Sequence, residues 1–221
     1  MEASHGDILV FLTGQDEIET LVGLITELEG EYVTTLIDRW QIVDGFLFCS
    51  RQKDSRAPRL YCLPLYAGLP SDQQSLVFDP APPGSRKVIV ATNIAESSVT
   101  IDGVVYVVDC GFVKVRAYDP LSGVDALVVV PLSKASATQR AGRAGRTRPG
   151  KAYRLYTEES FNALNNANVP EVQRTSLTNV VLQLKALGID NIARFDFMAP
   201  PPAELVVRSV EVFSFLADDV C

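Results

Sequence analysis

The chain has a single histidine, no long apolar run and no paired cysteines, and each of these shortages excludes a class of protein. With only His5, a Ser-His-Asp triad or a histidine-based zinc site is not expected. No apolar run approaches the ~20 residues that a membrane-spanning helix needs. The four cysteines show no paired spacing, and the start MEASHGD is unlike a secretory signal. We therefore expect a reducing, intracellular compartment.

Positive charge is also scarce, but it is concentrated in one stretch. The chain has 20 Lys and Arg against 27 Asp and Glu, with a net charge of −7 at pH 7, which argues against a protein that coats nucleic acid. Arg140, Arg143 and Arg146 nevertheless recur at every third position in QRAGRAGRTRPGKAYRLY at 139–156. On a helix they would share roughly one face, as a row of exposed guanidinium groups suited to phosphate. A solvated basic helix face is the alternative.

The apolar runs predict an α/β fold with a mostly parallel sheet, because they are of strand length and do not alternate with polar residues. These runs lie at 8–12, 60–65, 87–91 and 104–108. Two further runs flank the turn DPLSG and predict a β-hairpin over 112–130. A helix is predicted over 133–146 with Ser133 as its N-cap, and a shorter one from Asp72 to about Phe78 capped by Ser71.

Two parts of the chain are less regular. Residues 30–59 show no clean period, and we assign no chemistry to them. From Glu158 onward the composition changes, with helices predicted near 180–187 and 203–216 on either side of the Pro-rich segment MAPPP. We expect this tail to begin a second domain.

Five blocks together resemble the second, C-terminal RecA-like domain of DEAH-box ATP-dependent RNA helicases, and they resemble the nuclear, splicing-associated members most. The blocks are ILVFLTGQDEIE at 8–19, LPLYAGLPSDQQSLVF at 63–78, KVIVATNIAESSVTIDG at 87–103, VVDCGFVK at 107–114 and QRAGRAGRTRPGKAYRLYT at 139–157. Ser97, Val99 and Cys110 depart from the residues usual in the family.

The resemblance implies a RecA-like (P-loop NTPase-type) sheet flanked by helices, with a β-hairpin insertion and a helical tail. Residues 1–157 would form the RecA-like domain, and residues 158–221 would form a connector and the start of an incomplete winged-helix region. The chain contains neither G-x-x-x-x-G-K-[ST] nor Asp-Glu-Ala-His. In the family both motifs lie on the preceding RecA-like domain, so this chain would supply half of a composite ATP site and would be inactive alone.

For the ATP site, the resemblance implies roles for six residues around the nucleotide. They are Arg143 and Arg146 as arginine fingers, Gln139 near the γ-phosphate and attacking water, Phe78 stacking on adenine, Asp102 at the ribose, and Thr100 nearby. Mg²⁺ would be held mainly by the other domain, and no metal ligand is expected here. The alternatives are a core position for Phe78 and an ordinary turn for Asp102, while Arg140 could pair with an acid.

For RNA, the resemblance implies backbone contacts by Thr92 and Asn93, with the small residues Ala67 and Gly68 allowing close approach and Lys114 on the hairpin. An ordinary turn is the alternative for Ala67 and Gly68, and a surface charge is the alternative for Lys114. The implied partners are RNA, the N-terminal RecA domain of the same protein, G-patch-type activators and spliceosomal proteins, in the nucleus and without a membrane.

Two other functions remain open from the sequence. One is a truncated, non-catalytic adaptor that binds RNA or spliceosomal partners through the same surface. The other is a DNA-directed translocase, which fits a RecA-like core in general but fits these blocks less well. The intact arginine-rich stretch at 139–156, called the arginine segment below, and the intact TNIAESS loop at 92–98 favour the helicase.

Overall fold

The computed structural model of the chain describes residues 6–31, 41–43, 46–48, 58–189 and 191–218. Within them the strands are β1 (Asp7–Phe11), β2 (Gln41–Val43), β3 (Phe46–Phe48), β4 (Arg59–Leu65), β5 (Ser85–Ala91), β6 (Val104–Asp109), β7 (Phe112–Asp119), β8 (Val124–Pro131) and β9 (Lys151–Arg154). The α-helices are α1 (Gln15–Glu31), α2 (Ser71–Ser75), α3 (Ile94–Ser97), α4 (Lys134–Ala141), α5 (Glu158–Ala163), α6 (Thr178–Ala186) and α7 (Ala203–Asp218). No helix among these residues is long and apolar enough to span a membrane.

The core of the fold is a five-stranded sheet in the order β4-β5-β1-β6-β9, and every neighbouring pair in it is parallel. The predicted mostly parallel sheet is therefore confirmed. Its central strands carry the unalternating apolar runs, because helices and loops cover both faces and leave no polar side. β7 and β8 form the separate two-stranded hairpin, also as predicted.

The two faces of the sheet form two apolar clusters, as alternation along each strand requires. Leu9 and Ile89 point to one face, where Val77 and Ala144 cover them. In each strand, the side chains adjacent to these point to the opposite face and pack against α1. Ile18 of α1 is fully buried in this contact. The arginine segment therefore lies over the face that contains Leu9 and Ile89.

Two predicted helices are shorter than expected. The helix that begins after Ser133 stays α-helical only to Ala141 and continues as a 3-10 helix over Gly142–Gly145. Glycine favours an α-helix poorly, and the change occurs at the first of two glycines. Ser133 is confirmed as the N-cap, since its hydroxyl accepts the Ser136 N–H at 3.1 Å.

The other short helix is α2, and its predicted cap is wrong. Ser71 is its first helical residue, the preceding position is Pro70, and no side chain caps the helix. The α-helix ends at Ser75, and three-residue turns continue the chain to Asp79.

The chain divides into two compact units, Met1–Val113 with Pro131–Asn166, and Lys114–Val130 with Ala167–Cys221. The first contains the parallel sheet and the second contains most of the hairpin and the helical tail. In the second, α7 packs against α6 around a buried cluster that includes Leu177, Val181 and Leu205. The domain boundary expected after residue 157 stays a prediction. Most of residues 30–59 lie outside the described part of the chain.

Candidate nucleotide-binding site

The arginine segment lies along the chain that connects β5 to β6. Because both strands run parallel to β1, residues 92–103 must return from the carboxyl end of β5 to the amino end of β6. Each arginine of the three-residue repeat meets a successive part of this return segment. The contacts are Arg140 with Glu96, Arg143 with the carbonyls of Glu96 and Val99, and Arg146 with Thr100.

Arg140 is fully buried and paired with two carboxylates. Its Nε lies 3.2 Å from Glu96 Oε2 and its NH1 lies 2.7 Å from Asp109 Oδ1. NH1 also donates to the Phe112 carbonyl, and the guanidinium lies over the Phe11 ring. Burial by itself would lower the pKa of Arg140, but Asp109 and Glu96 together raise it. The predicted exposed row of three guanidiniums is therefore wrong at Arg140 and also at Arg143, which is buried. At Arg140 the alternative of pairing with an acid is confirmed.

Asp109 accepts hydrogen bonds from several residues around Arg140. Besides Arg140, its carboxylate accepts the Tyr156 hydroxyl at 3.0 Å and the Gly111 N–H at 3.1 Å. Burial, followed by the charge and hydrogen bond of Asp109, raises the pKa of Tyr156. Gly111 has φ +86°, and a β-carbon there would lie 2.6 Å from the Tyr156 ring. Only glycine fits this turn without displacing the tyrosine.

Arg143 and Arg146 contact neutral groups instead. The Arg143 guanidinium donates to the Val99 carbonyl at 3.0 Å and to the Glu96 carbonyl, and the residue is 9% exposed. Burial, and then the nearby charge of Arg146, lowers the pKa of Arg143. Arg146 is exposed, and its NH1 donates to the Thr100 hydroxyl at 2.8 Å. The fold thus brings together three of the residues predicted for the nucleotide site.

The other predicted nucleotide contacts are exposed. Phe78 is 57% exposed after α2, which excludes the alternative that it closes the core. Asp102 is exposed in the turn before β6, and Gln139 is exposed in the last turn of α4. After Asp102, Gly103 has φ +86°, and a β-carbon there would lie 2.9 Å from the Asp7 carboxylate. This turn therefore requires glycine.

Four of the five predicted RNA contacts lie at one edge of the sheet. Ala67 and Gly68 follow β4, while Thr92 and Asn93 follow the neighbouring β5. The Thr92 N–H donates to the Leu65 carbonyl at 3.1 Å and ties the two strand ends together. A β-carbon on Gly68 would meet nothing closer than 3.8 Å, so internal packing does not require glycine there. Lys114 is half-buried in β7 and belongs to the second unit.

Sequence reasoning missed the buried charged residues that lie close to the predicted nucleotide contacts. Glu96 and Asp109 are the carboxylate partners of Arg140, and Lys87 and Asp7 form a second ion pair with 3.6 Å between Nζ and Oδ2. One signal was present: Lys87 directly precedes the apolar run at 88–91 of β5, at a position where both faces of the sheet are covered. A charge in such a place needs a specific partner.

A parallel sheet with a polar, arginine-bearing surface beside its strand ends is the arrangement of a RecA-like nucleotide-dependent domain. The chain belongs to the helicase conserved C-terminal domain family, whose model matches residues 1–148. The predicted resemblance to DEAH-box RNA helicases is confirmed by similar proteins of known sequence and structure.

Among curated proteins, the chain is 53% identical over 207 residues to the probable ATP-dependent RNA helicase DHX35 of Homo sapiens, covering 94% of this chain and 27% of that protein. It is 48% identical to the pre-mRNA-splicing factor ATP-dependent RNA helicase prp22 of Schizosaccharomyces pombe, covering 93% of this chain and 16% of that protein. The chain therefore spans about a quarter or less of these relatives.

Among solved structures, it resembles the Escherichia coli DEAH/RHA helicase HrpB with a TM-score of 0.77 and 30% identity, covering 96% of this chain and 24% of that one. A second crystal structure, of the E. coli DExH-box NTPase HrpB, gives a TM-score of 0.75 at 30% identity, covering 97% of this chain and 23% of that one. The RecA-like fold class is confirmed.

Proposed function

We propose that this chain supplies the arginine-finger half of a composite ATP site, and part of the RNA channel, in an ATP-dependent RNA helicase. The other half of the site, with the phosphate loop and the ligands of Mg²⁺, would come from the N-terminal RecA-like domain of the same protein. The observation that carries the proposal is the arrangement of Arg143 and Arg146. Both reach the return segment near Thr100, and both are held by neutral groups.

Neutral partners leave the charge of a guanidinium uncancelled. A carbonyl or hydroxyl oxygen can be exchanged for a phosphate oxygen, and the charge-assisted bond to phosphate is the stronger of the two. Phosphoryl transfer to water depends on such charge stabilisation and on an oriented water. Arg143 and Arg146 would meet the γ-phosphate, and Gln139 would orient the attacking water.

The base and ribose would lie against the exposed residues of the same unit. An exposed phenylalanine such as Phe78 offers a face on which adenine can stack. Asp102, exposed before β6, would accept ribose hydroxyls, with Thr100 nearby. The chain's residues thus fit a nucleotide on this side of the cleft, and we propose no Mg²⁺ ligand among them.

RNA would cross the edge of the sheet where β4 and β5 end. Thr92 and Asn93 would donate to phosphate oxygens, and Ala67 and Gly68 would allow the backbone to come close, which suits a motor that does not read sequence. Lys114 would add a phosphate contact from the hairpin. Opening and closing of the nucleotide cleft would move these loops relative to the other domain.

The cellular role that we propose is nuclear, with spliceosomal proteins and G-patch-type activators as partners. Its support is the 48% identical relative that is named a pre-mRNA-splicing factor.

The test is steady-state ATP hydrolysis, with and without RNA, by the full-length protein that carries this chain. Replacing an arginine finger typically lowers kcat by about 10³-fold or more. We expect Arg143→Ala and Arg146→Ala to approach that loss, while the control Lys151→Ala, in an exposed position on β9, keeps the original kcat. Unchanged kcat in both arginine variants would refute the composite site.

Three further measurements separate the remaining alternatives. The isolated chain should not hydrolyse ATP at an appreciable rate, and hydrolysis by it that survives Arg143→Ala would contradict the split site. Stimulation by DNA in preference to RNA would favour a DNA translocase. RNA binding by a full-length protein without any ATP hydrolysis would favour the adaptor.

A further inference from the structure

Lys87 is a buried cation that binds the turn carrying Phe78. Lys87 is 2% exposed, and its Nζ lies 2.8 Å from the Val77 carbonyl and 2.8 Å from the Asp79 carbonyl. These two carbonyls belong to the residues on either side of Phe78. A buried ammonium is costly unless it is paired and fully hydrogen-bonded, so this turn is fixed by a strong and specific interaction.

The geometry of the turn explains why it needs such a partner. After α2, the N–H groups of Phe78 and Asp79 donate three residues back, to Ser75 and Leu76. The last carbonyls of a helical segment have no partner within it, and a lysine near them is a favourable cap. Val77 is fully buried, so the turn is anchored on that side while the Phe78 side chain remains exposed.

Asp7 connects the same lysine to the turn carrying Asp102. Its Oδ2 lies 3.6 Å from Lys87 Nζ, and its backbone N–H donates to the Gly103 carbonyl at 2.9 Å. The Asp7 carboxylate also occupies the space where a β-carbon of Gly103 would lie. Burial raises the pKa of Asp7, while the charge and hydrogen bond of Lys87 act to lower it. Lys87 therefore stabilises the charged form of this carboxylate.

We propose that Lys87 and Asp7 are positioning residues that fix Phe78 and Asp102 in one arrangement for the adenine and the ribose of the nucleotide. The inference rests on the proposed function, since it assigns to that site a buried support that contacts no substrate. The two parts of the site then have different residues: Lys87 and Asp7 position the side chains that would bind the base and ribose, whereas Arg143 and Arg146 would bind the γ-phosphate. Loss of the support should therefore weaken nucleotide binding and leave the chemical step intact.

The first experiment needs no nucleotide and uses the chain 1–221. Phe78→Trp places a fluorescent reporter in the turn, in a chain whose only tryptophan, Trp40, is replaced by phenylalanine. Lys87→Met removes the ammonium with little change of volume, and Lys151→Met makes the same substitution at an exposed lysine of β9 as the control. We expect Lys87→Met to lower the fluorescence anisotropy and increase quenching by acrylamide, while Lys151→Met does neither.

Circular dichroism shows whether each variant is folded. Should Lys87→Met not fold, Asp7→Asn decides the question, because it keeps the shape of the side chain and removes its charge. We expect Asp7→Asn to produce a smaller change of the same sign. An anisotropy that is unchanged in the folded Lys87→Met variant, or in Asp7→Asn when Lys87→Met does not fold, would overturn the proposal.

The second experiment uses the full-length protein, and it separates positioning from a general loss of stability. Lys87→Met should raise the KM for ATP by about tenfold, the scale of one base–aromatic stack, with kcat changed by less than about twofold. In a Phe78→Ala background, the same substitution should raise KM by less than about twofold, because the residue through which Lys87 acts is already gone.

Additive effects on KM, or a fall in kcat equal to the rise in KM, would show a merely structural lysine. Fluorescence of 2-aminopurine riboside triphosphate gives the spectroscopic readout: quenching by stacking should weaken in both Lys87→Met and Phe78→Ala. If the unsubstituted full-length protein does not hydrolyse ATP, the proposed function fails. The reporter experiment would then still decide whether Lys87 fixes the turn.

Discussion

Arg140 and Arg146 belong to one repeat with the same three-residue spacing, yet the fold surrounds them differently. Arg140 is fully buried between the carboxylates of Glu96 and Asp109, whereas Arg146 is exposed and contacts a threonine hydroxyl. Arg143 lies between the two, buried but bound to backbone carbonyls. The charge of the partner, more than burial, distinguishes these arginines.

The difference determines how much free energy it costs to move each arginine away from its partner. Moving Arg140 would leave two buried carboxylates without their counter-charge, which costs several kcal/mol. Moving Arg146 would free one hydroxyl that water can solvate. The same sequence motif therefore contains an arginine that joins α4 to the sheet and the return segment, and two that have neutral partners, as the proposed arginine-finger role requires.

The largest effect that this comparison predicts is the loss of stability caused by Arg140→Met. The substitution keeps apolar contact with the Phe11 ring but leaves Glu96 and Asp109 unpaired, so we expect a loss of about 3–5 kcal/mol in the free energy of unfolding. Urea denaturation of the chain, followed by circular dichroism, measures it. Adding Glu96→Gln to Arg140→Met should recover part of the loss, because one buried charge is removed. A loss below about 1 kcal/mol in Arg140→Met would contradict a structural role for the ion pairs.

An intermediate effect is expected for Arg143→Ala. Two backbone carbonyls, those of Glu96 and Val99, would lose their donor in a poorly exposed position. Leaving buried acceptors unsatisfied costs roughly 1–3 kcal/mol, so the variant should be less stable than the original chain but more stable than Arg140→Met. The same urea titration ranks them. Equal destabilisation by the two variants would remove the distinction between carboxylate and neutral partners.

The sequence predicted the strands well, because a strand covered on both faces needs an unbroken apolar run, and β1, β5 and β6 each contain one. The resemblance, and not the spacing, assigned Arg143, Arg146 and Thr100 to one nucleotide site, and the fold brings these three residues together. The partners of Arg140 could not be seen in the same way. Glu96 and Asp109 are 44 and 31 residues away in the chain, and only the parallel topology brings them to one place.

The sequence prediction placed the end of the arginine helix at Arg146, five residues beyond Ala141, where the α-helix ends. Arg140, Arg143 and Arg146 nevertheless all contact the return segment, because a 3-10 helix also aligns side chains that are three residues apart. The role of Lys87 could not be predicted from the sequence. Its two carbonyl partners, Val77 and Asp79, lie in a turn whose geometry depends on tertiary contacts and not on local propensity.

The smallest effect on stability is expected for Arg146→Ala. Its side chain is exposed, and its contact with the Thr100 hydroxyl can be replaced by water, so the free energy of unfolding should change by less than about 0.5 kcal/mol. Thr100→Val should be equally mild, because it removes the acceptor of the same bond. Urea denaturation of both variants beside Arg140→Met completes the comparison. A destabilisation by Arg146→Ala as large as that of Arg140→Met would make Arg146 a structural residue, and a loss of ATP hydrolysis in that variant could then no longer be assigned to the γ-phosphate.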